Sequence, residues 1–148
     1  MRTVVLTNGC FDILHVGHVI YLQQARELGD WLIVGLNSDA SVRALKGPAR
    51  PINPQDDRAT VLSALSCVDE VVIFDELTPE RLIRDIRPDI YVKGGDYTEA
   101  NLPERDLVTT LGGVVRCLEH VPGRSTSALV AQMSNSGRTW QETRRISE

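Results

Sequence analysis

Two histidines, His15 and His18, stand three residues apart around Gly17, closing the string Thr7-Asn8-Gly9-Cys10-Phe11-Asp12-Ile13-Leu14-His15-Val16-Gly17-His18. Residues 3–6 before this string are apolar and read as a short buried strand; residues 19–28 after it are amphipathic and read as a helix. The histidines therefore fall where a strand hands over to a helix N-terminus. Unpaired N–H groups and the positive end of the helix dipole make such a junction an anion site. Imidazoles add protons or positive charge there, and a glycine lets an oxyanion approach the backbone closely. This is an apparatus for chemistry on a phosphate. The plainer reading is that the two rings only hydrogen-bond at a helix start. A zinc site from Cys10, His15 and His18 lacks a nearby fourth ligand.

Three further segments carry groups suited to an anionic ligand. Leu45-Lys46-Gly47-Pro48-Ala49-Arg50-Pro51, followed by Arg58, is a Gly/Pro loop whose cations are spaced to reach into a pocket. Val92-Lys93-Gly94-Gly95-Asp96-Tyr97 leaves a strand through two glycines, which admit a ligand close to the backbone, with Asp96 as an acceptor. Gly123-Arg124-Ser125-Thr126-Ser127 places a guanidinium and hydroxyls at a helix start, a second anion site. Each also has a structural reading: a solvated turn, a tight turn and an N-cap at Ser125, respectively. His120 stands alone and reads as surface.

The elements that must position these groups alternate. Apolar, β-branched runs recur at residues 4–6, 31–36, 70–74, 89–92 and 113–118, separated by helical or helix-capping segments. Val61, Leu62, Leu65 and Val68 share one helical face after Pro54; Thr78-Pro79-Glu80 reads as a cap followed by proline at the first helical position. Residues 125–133 read as a last short helix. Alternation on this spacing predicts a Rossmann-like α/β fold, a mostly parallel sheet with helices on both faces. Ligands in such sheets bind beyond the strand C-termini, where the strand order reverses. Residues 1–135 form one expected domain; the apolar pattern stops there, and residues 136–148 read as a tail.

Composition narrows the function classes. The 148 residues suffice for one sizeable core. A net charge of −4 argues against a general nucleic-acid binder, which wants a basic face. No apolar stretch has the length of a membrane span, and no secretory signal is expected at the N-terminus. Cys10, Cys67 and Cys117 are odd in number and widely spaced, which fits a reducing cytoplasm. There is no Gly-x-x-x-x-Gly-Lys-Ser/Thr loop, and no Gly-x-Gly-x-x-Gly follows the first strand, so neither a P-loop ATPase nor a dinucleotide oxidoreductase is supported.

His15-Val16-Gly17-His18 after Gly9-Cys10-Phe11-Asp12, with the Ser/Thr element at the last helix, resembles the cytidylyltransferase-like nucleotidyltransferases. Together with Asn37-Ser38-Asp39-Ala40-Ser41, Leu45-Lys46-Gly47 and Arg50-Pro51, Val92 to Tyr97 and Gly123-Arg124-Ser125-Thr126, it is similar to one branch. That branch is D-glycero-β-D-manno-heptose 1-phosphate adenylyltransferase, often the C-terminal half of a bifunctional kinase/adenylyltransferase. The resemblance spans residues 3–133. Arg124 and Ser127 depart mildly from the usual pattern of the last segment.

The resemblance implies transfer of AMP from ATP to a heptose 1-phosphate, giving ADP-heptose and pyrophosphate. Mg²⁺ would travel with ATP, with no protein metal ligands. His15, His18 and Lys46 would be catalytic. Asn8, Gly9, Cys10, Phe11, Gly17, His18, Gly94, Arg124, Ser125 and Thr126 would bind nucleotide, and Asp12, Lys46, Arg50, Gly95 and Asp96 the sugar phosphate. A separate heptose kinase would supply the acceptor; neither nucleic acid nor membrane is an expected partner, and a homodimer is compatible. A cytidylyltransferase or other nucleotidyltransferase acting on a phosphorylated alcohol such as glycerol 3-phosphate stays open. So does a non-catalytic nucleotide-binding module, although such a module has no need of both the histidine pair and the basic loop.

Overall fold

Each apolar run becomes a strand, and the strands line up in one direction. The computed structural model describes residues 1–95, 97–119 and 128–133. In chain order the elements are β1 (Val4–Gly9), α1 (Val16–Glu27), β2 (Trp31–Asn37), α2 (Asp39–Lys46), α3 (Gln55–Ser63), β3 (Glu70–Phe74), α4 (Glu80–Ile86), β4 (Ile90–Gly94), α5 (Arg105–Thr110) and β5 (Val114–Leu118). Residues 128–133 are helical, within the last helix expected from the sequence. The strand order is β3-β2-β1-β4-β5 and every pairing is parallel. This is the Rossmann-like arrangement, with β1 central.

Alternation along each strand builds two cores. Val5, Leu32, Val34, Leu36 and Val92 face Leu22 and Ala25 of α1 and Leu62 of α3. Leu6, Ile33, Tyr91 and Val115 face Leu82 and Ile83 of α4 and Val108 of α5. Helices thus cover both faces, as buried parallel strands require. Among the described residues no helix is long and apolar enough to cross a membrane.

Several element boundaries differ from the expectation, each for a local reason. β1 and β4 run past their apolar stretches through Thr7-Asn8-Gly9 and Lys93-Gly94. Those strand ends face the site crevice, so they are polar and do not read as strand. α1 begins at Val16 rather than residue 19, because its N-cap is His15, a residue type outside the usual capping set. α3 stops at Ser63: Leu62 is buried, Val61 is half exposed, and Leu65 and Val68 pack from the turn that follows. α4 begins at Glu80 with Pro79 at the N-cap and no side-chain cap, so Thr78 does not cap it. The short helix α2 is capped by Ser38, whose hydroxyl accepts from Ser41 N at 3.2 Å, and ends at Gly47 with φ 100°, a conformation only glycine adopts freely.

Candidate functional site

β1 and β4 lie side by side, and the chain leaves β1 for one half of the sheet and returns through β4 for the other. The crevice beyond Gly9 and Gly94 is therefore the switch point. From Gly9 the chain turns sharply. Phe11 has φ 45°, a left-handed conformation that costs a non-glycine residue on the order of 1–3 kcal/mol. Packing offsets it: the ring is buried, lies 5.3 Å from the His18 ring, and covers Gly9, where a Cβ would sit 2.9 Å from a ring carbon.

The turn delivers both histidines to the start of α1 as a reciprocal capping box. His15 Nδ1 accepts from Gly17 N at 3.1 Å, and His18 Nδ1 accepts from His15 N at 3.3 Å. The rings lie against each other, tilted by 31° with centroids 3.9 Å apart. A nitrogen that accepts carries no proton, so the proton of each neutral ring sits on Nε2. The helix fixes both tautomers and leaves Nε2–H as the donor. Gly17's own N–H is taken by His15, so what it offers a ligand is the absence of a side chain.

His18 is held uncharged. Burial first, then His15 and Lys46, lower its pKa to about 4. The sequence allowed a cationic pair here; the structure makes His18 a neutral donor at pH 7. Unfolded, this ring titrates near 6.5. Between the two values the unfolded chain holds a proton that the folded chain refuses, so acid favours unfolding. The stability in question is fully present above about pH 6.5 and is lost as pH falls toward about 4. Thermal midpoints across that window should fall in the wild type and fall less in His18→Asn; equal slopes would count against a strained, neutral His18.

Cations converge on the same place. Lys46, the last residue of α2, is exposed, and its charge reaches both His18 and Cys10. Lys93, near the end of β4, also acts on Cys10. In the sequence Lys93 reads as part of a strand exit; a lone cation near the end of an otherwise apolar strand is the signal for a site role. Despite these charges, burial dominates and pushes the Cys10 thiol up. A thiol so disposed is a poor nucleophile. Cys10→Ser should keep turnover within about threefold of wild type, since loss of one positioned donor would cost ~10²; a trapped nucleotidyl-cysteine would contradict this.

Two tyrosines complete the floor. Tyr91, fully buried, donates to Asn8 Oδ1 at 2.5 Å; Tyr21 bonds Thr7 Oγ1 at 2.7 Å and donates to Val92 O at 3.3 Å. Burial raises both phenols, so they stay neutral donors. They brace the ends of β1 and β4 from opposite faces. Their role escaped the sequence because an aromatic in an apolar run reads as core. Gly94 closes β4 against the Tyr21 ring, and Gly95 follows with φ 92°.

Asp12, Arg50 and Arg58 are placed differently from a simple cationic loop. Arg58 does not reach into a pocket: it is buried, donating Nε to Asn53 O at 2.9 Å, Nη1 to Cys10 O and Asn37 O at 2.8 Å each, and Nη2 to Asp39 Oδ1 at 2.8 Å. It bolts together the ends of β1 and β2, the start of α2 and the following loop. Asp12 is buried too; its carboxylate accepts from Ile52 N and Asn53 N and faces Arg50 Nε at 3.3 Å. Arg50 lies at the site edge, mostly buried, with no hydrogen-bond partner for Nε.

The structure thus brings His15, His18, Asn8, Gly9, Cys10, Phe11, Gly17, Lys46, Gly94 and Gly95 to one crevice rim, with Arg50 and Asp12 beside it. Asp96, His120, Arg124, Ser125, Thr126 and residues 136–148 lie outside the described residues. Among the described residues no three His, Cys, Asp or Glu side chains are grouped to hold a metal.

The chain is 58% identical over 132 residues to the bifunctional protein HldE of Syntrophotalea carbinolica, covering 89% of this chain and 27% of that protein. It is 60% identical over 135 residues to HldE of Wolinella succinogenes, covering 91% and 28%. It thus spans little more than a quarter of these relatives' length. Among solved structures, the lipopolysaccharide core biosynthesis protein from Thermoplasma volcanium superposes with a TM-score of 0.68 at 30% identity, covering 82% of this chain and 98% of that one. The cytidylyltransferase-like family pattern runs over residues 6–136, from the middle of β1 past the last described helix, and with the histidine pair at the switch point it shows that the chain belongs to that family.

Proposed function

We propose that the chain transfers AMP from MgATP to a heptose 1-phosphate, yielding ADP-heptose and pyrophosphate. The observation that carries the reading is the pair of tautomer-fixed histidines at the switch point, set beside cations that lie toward α2. The heptose assignment is supported by the five-part motif resemblance, the similarity to HldE and the likeness to the lipopolysaccharide core biosynthesis protein from Thermoplasma volcanium.

The acceptor's phosphate oxygen attacks the α-phosphorus in line, and pyrophosphate leaves with the bridging oxygen. A phosphate monoester dianion is already a nucleophile, so no general base is needed; the protein supplies position and charge stabilisation. His15 and His18 donate through Nε2 to oxygens of the α-phosphate and the triphosphate. Backbone groups of residues 8–11 line the nucleotide. Lys46 neutralises charge between the two phosphates, and Arg50 stands on the acceptor side. Arg124, Ser125 and Thr126 are assigned to the β- and γ-phosphates, and Gly94, Gly95 and Asp96 to the nucleoside or the sugar. Mg²⁺ would be held mainly by phosphate oxygens of ATP, with few protein ligands, and would supply charge neutralisation there. A sugar kinase activity supplies the sugar 1-phosphate, in the cytoplasm.

Pyrophosphate release from a panel of ATP and CTP against heptose 1-phosphate and glycerol 3-phosphate tests this. Turnover with ATP and heptose 1-phosphate is expected. Turnover with CTP alone would remove the adenylyl assignment, and turnover with glycerol 3-phosphate alone the heptose one.

A further inference from the structure

We infer that Asp12 is a positioning residue that clamps the acceptor-side loop to the histidine turn and does not itself touch substrate; this rests on the reaction proposed above. The carboxylate has no face left for a ligand. Oδ1 accepts from Asn53 N at 2.9 Å and Ile52 N at 3.0 Å, while Oδ2 accepts from Ile52 N at 2.9 Å and faces Arg50 Nε at 3.3 Å. The side chain is only 2% exposed. The clamp closes in the other direction as well: Asn53 Nδ2 donates to Asp12 O at 2.7 Å. A buried carboxylate placed against an incoming phosphate would also repel it, which makes direct contact a poor use of this group.

What the clamp joins is informative. Asp12 belongs to the turn that sets Phe11 and, three residues on, the N-cap His15. Its partners belong to the loop after α2, which carries Arg50 and begins at the cap that fixes Lys46. Arg50 is held at the end of this bridge with Nε buried and without a hydrogen-bond acceptor. Nε faces the Asp12 carboxylate at 3.3 Å, so Asp12 sets the orientation of the guanidinium as well as the path of the loop. In-line attack requires the acceptor phosphate to sit at a set distance from the α-phosphorus. Asp12 ties the turn that carries the histidines directly to the loop that carries Arg50.

Asp12→Asn tests this, because it preserves volume and one acceptor oxygen and leaves the Arg58 bolt in place. An amide nitrogen must then face either a loop N–H or Arg50. Amide exchange at Ile52 and Asn53 should speed up. Acceptor kcat/KM should fall about ten- to a hundredfold, the effect of misplacing a reactant by roughly 1 Å. Affinity for a non-hydrolysable ATP analogue should stay within about twofold, since the histidine turn is braced separately. Asp12→Glu, which keeps the charge but overreaches, should sit between. A rise in analogue Kd matching the acceptor effect, a loss of melting temperature with normal acceptor kcat/KM, or unchanged exchange at Ile52 and Asn53 would each overturn the clamp. Turnover of glycerol 3-phosphate in place of heptose 1-phosphate by the wild type would remove the heptose reading only; the clamp is then judged on glycerol 3-phosphate by the same comparison.

Discussion

His18→Ala is expected to lower kcat by about 10²–10³, or roughly 2.7–4 kcal/mol, the usual cost of one preorganised donor at a site of developing charge. His15→Ala should match it. The capping box complicates a plain alanine comparison, because each ring also completes the first turn of α1. Loss of an N-cap costs about 1 kcal/mol of stability. His15→Asn separates the two roles. Asparagine is among the best N-caps, so folding should be restored, while the Nε2 donor is gone and turnover should stay low. His18→Gln, which keeps a neutral donor, should be less damaging than His18→Ala. If the pair served only to cap the helix, His15→Asn would turn over almost normally, and kcat with thermal midpoint on these variants would show it.

The second large effect falls on stability. Arg58→Ala leaves the Asp39 carboxylate and the carbonyls of Cys10, Asn37 and Asn53 without their donor. Arg58 is buried while Asp39 is 28% exposed, so the loss should fall at the low end of the about 3–5 kcal/mol that breaking a buried pair costs, still a large part of the ~5–15 kcal/mol that holds a domain folded. The thermal midpoint should drop by ~10–20 °C. Arg58→Lys should rescue little, since one ammonium cannot span four acceptors in a plane. A loss under about 1 kcal/mol on denaturant unfolding, below the range for a buried pair, would show that the junction is held elsewhere.

The strands were legible because parallel strands buried on both faces leave near-continuous apolar runs, such as Trp31 to Leu36. The polar strand ends were not, since Asn8 and Lys93 serve the crevice rather than the core. The place of the histidine pair, at a strand-to-helix junction, was legible from the sequence. Its charge state was not: neutrality at His18 comes first from burial, then from His15 and from Lys46, a residue 28 positions away. Arg58 and Arg50 look alike in the sequence, yet one is a strut bonded to four acceptors and the other is paired through Nε with Asp12. Only the tertiary positions of Asp39, Asn37 and Asp12 separate them. Tyr91 reads as core by every local rule, and its hydroxyl matters because β4 happens to lie beside Asn8.

The pairing of β1 with β4 also governs when the crevice comes into being. Val4 N donates to Asp89 Oδ2 across 85 residues of chain, and the neighbouring parallel register spans as far. Closing so long a loop costs entropy before its contacts repay it, and parallel pairing at such separation forms late in folding. The histidine turn can acquire its helix early, from local bonds alone, but it faces no complete wall until β4 arrives. Nucleotide affinity is therefore a property of the finished sheet, and a chain that has made its helices without this closure has secondary structure but no site.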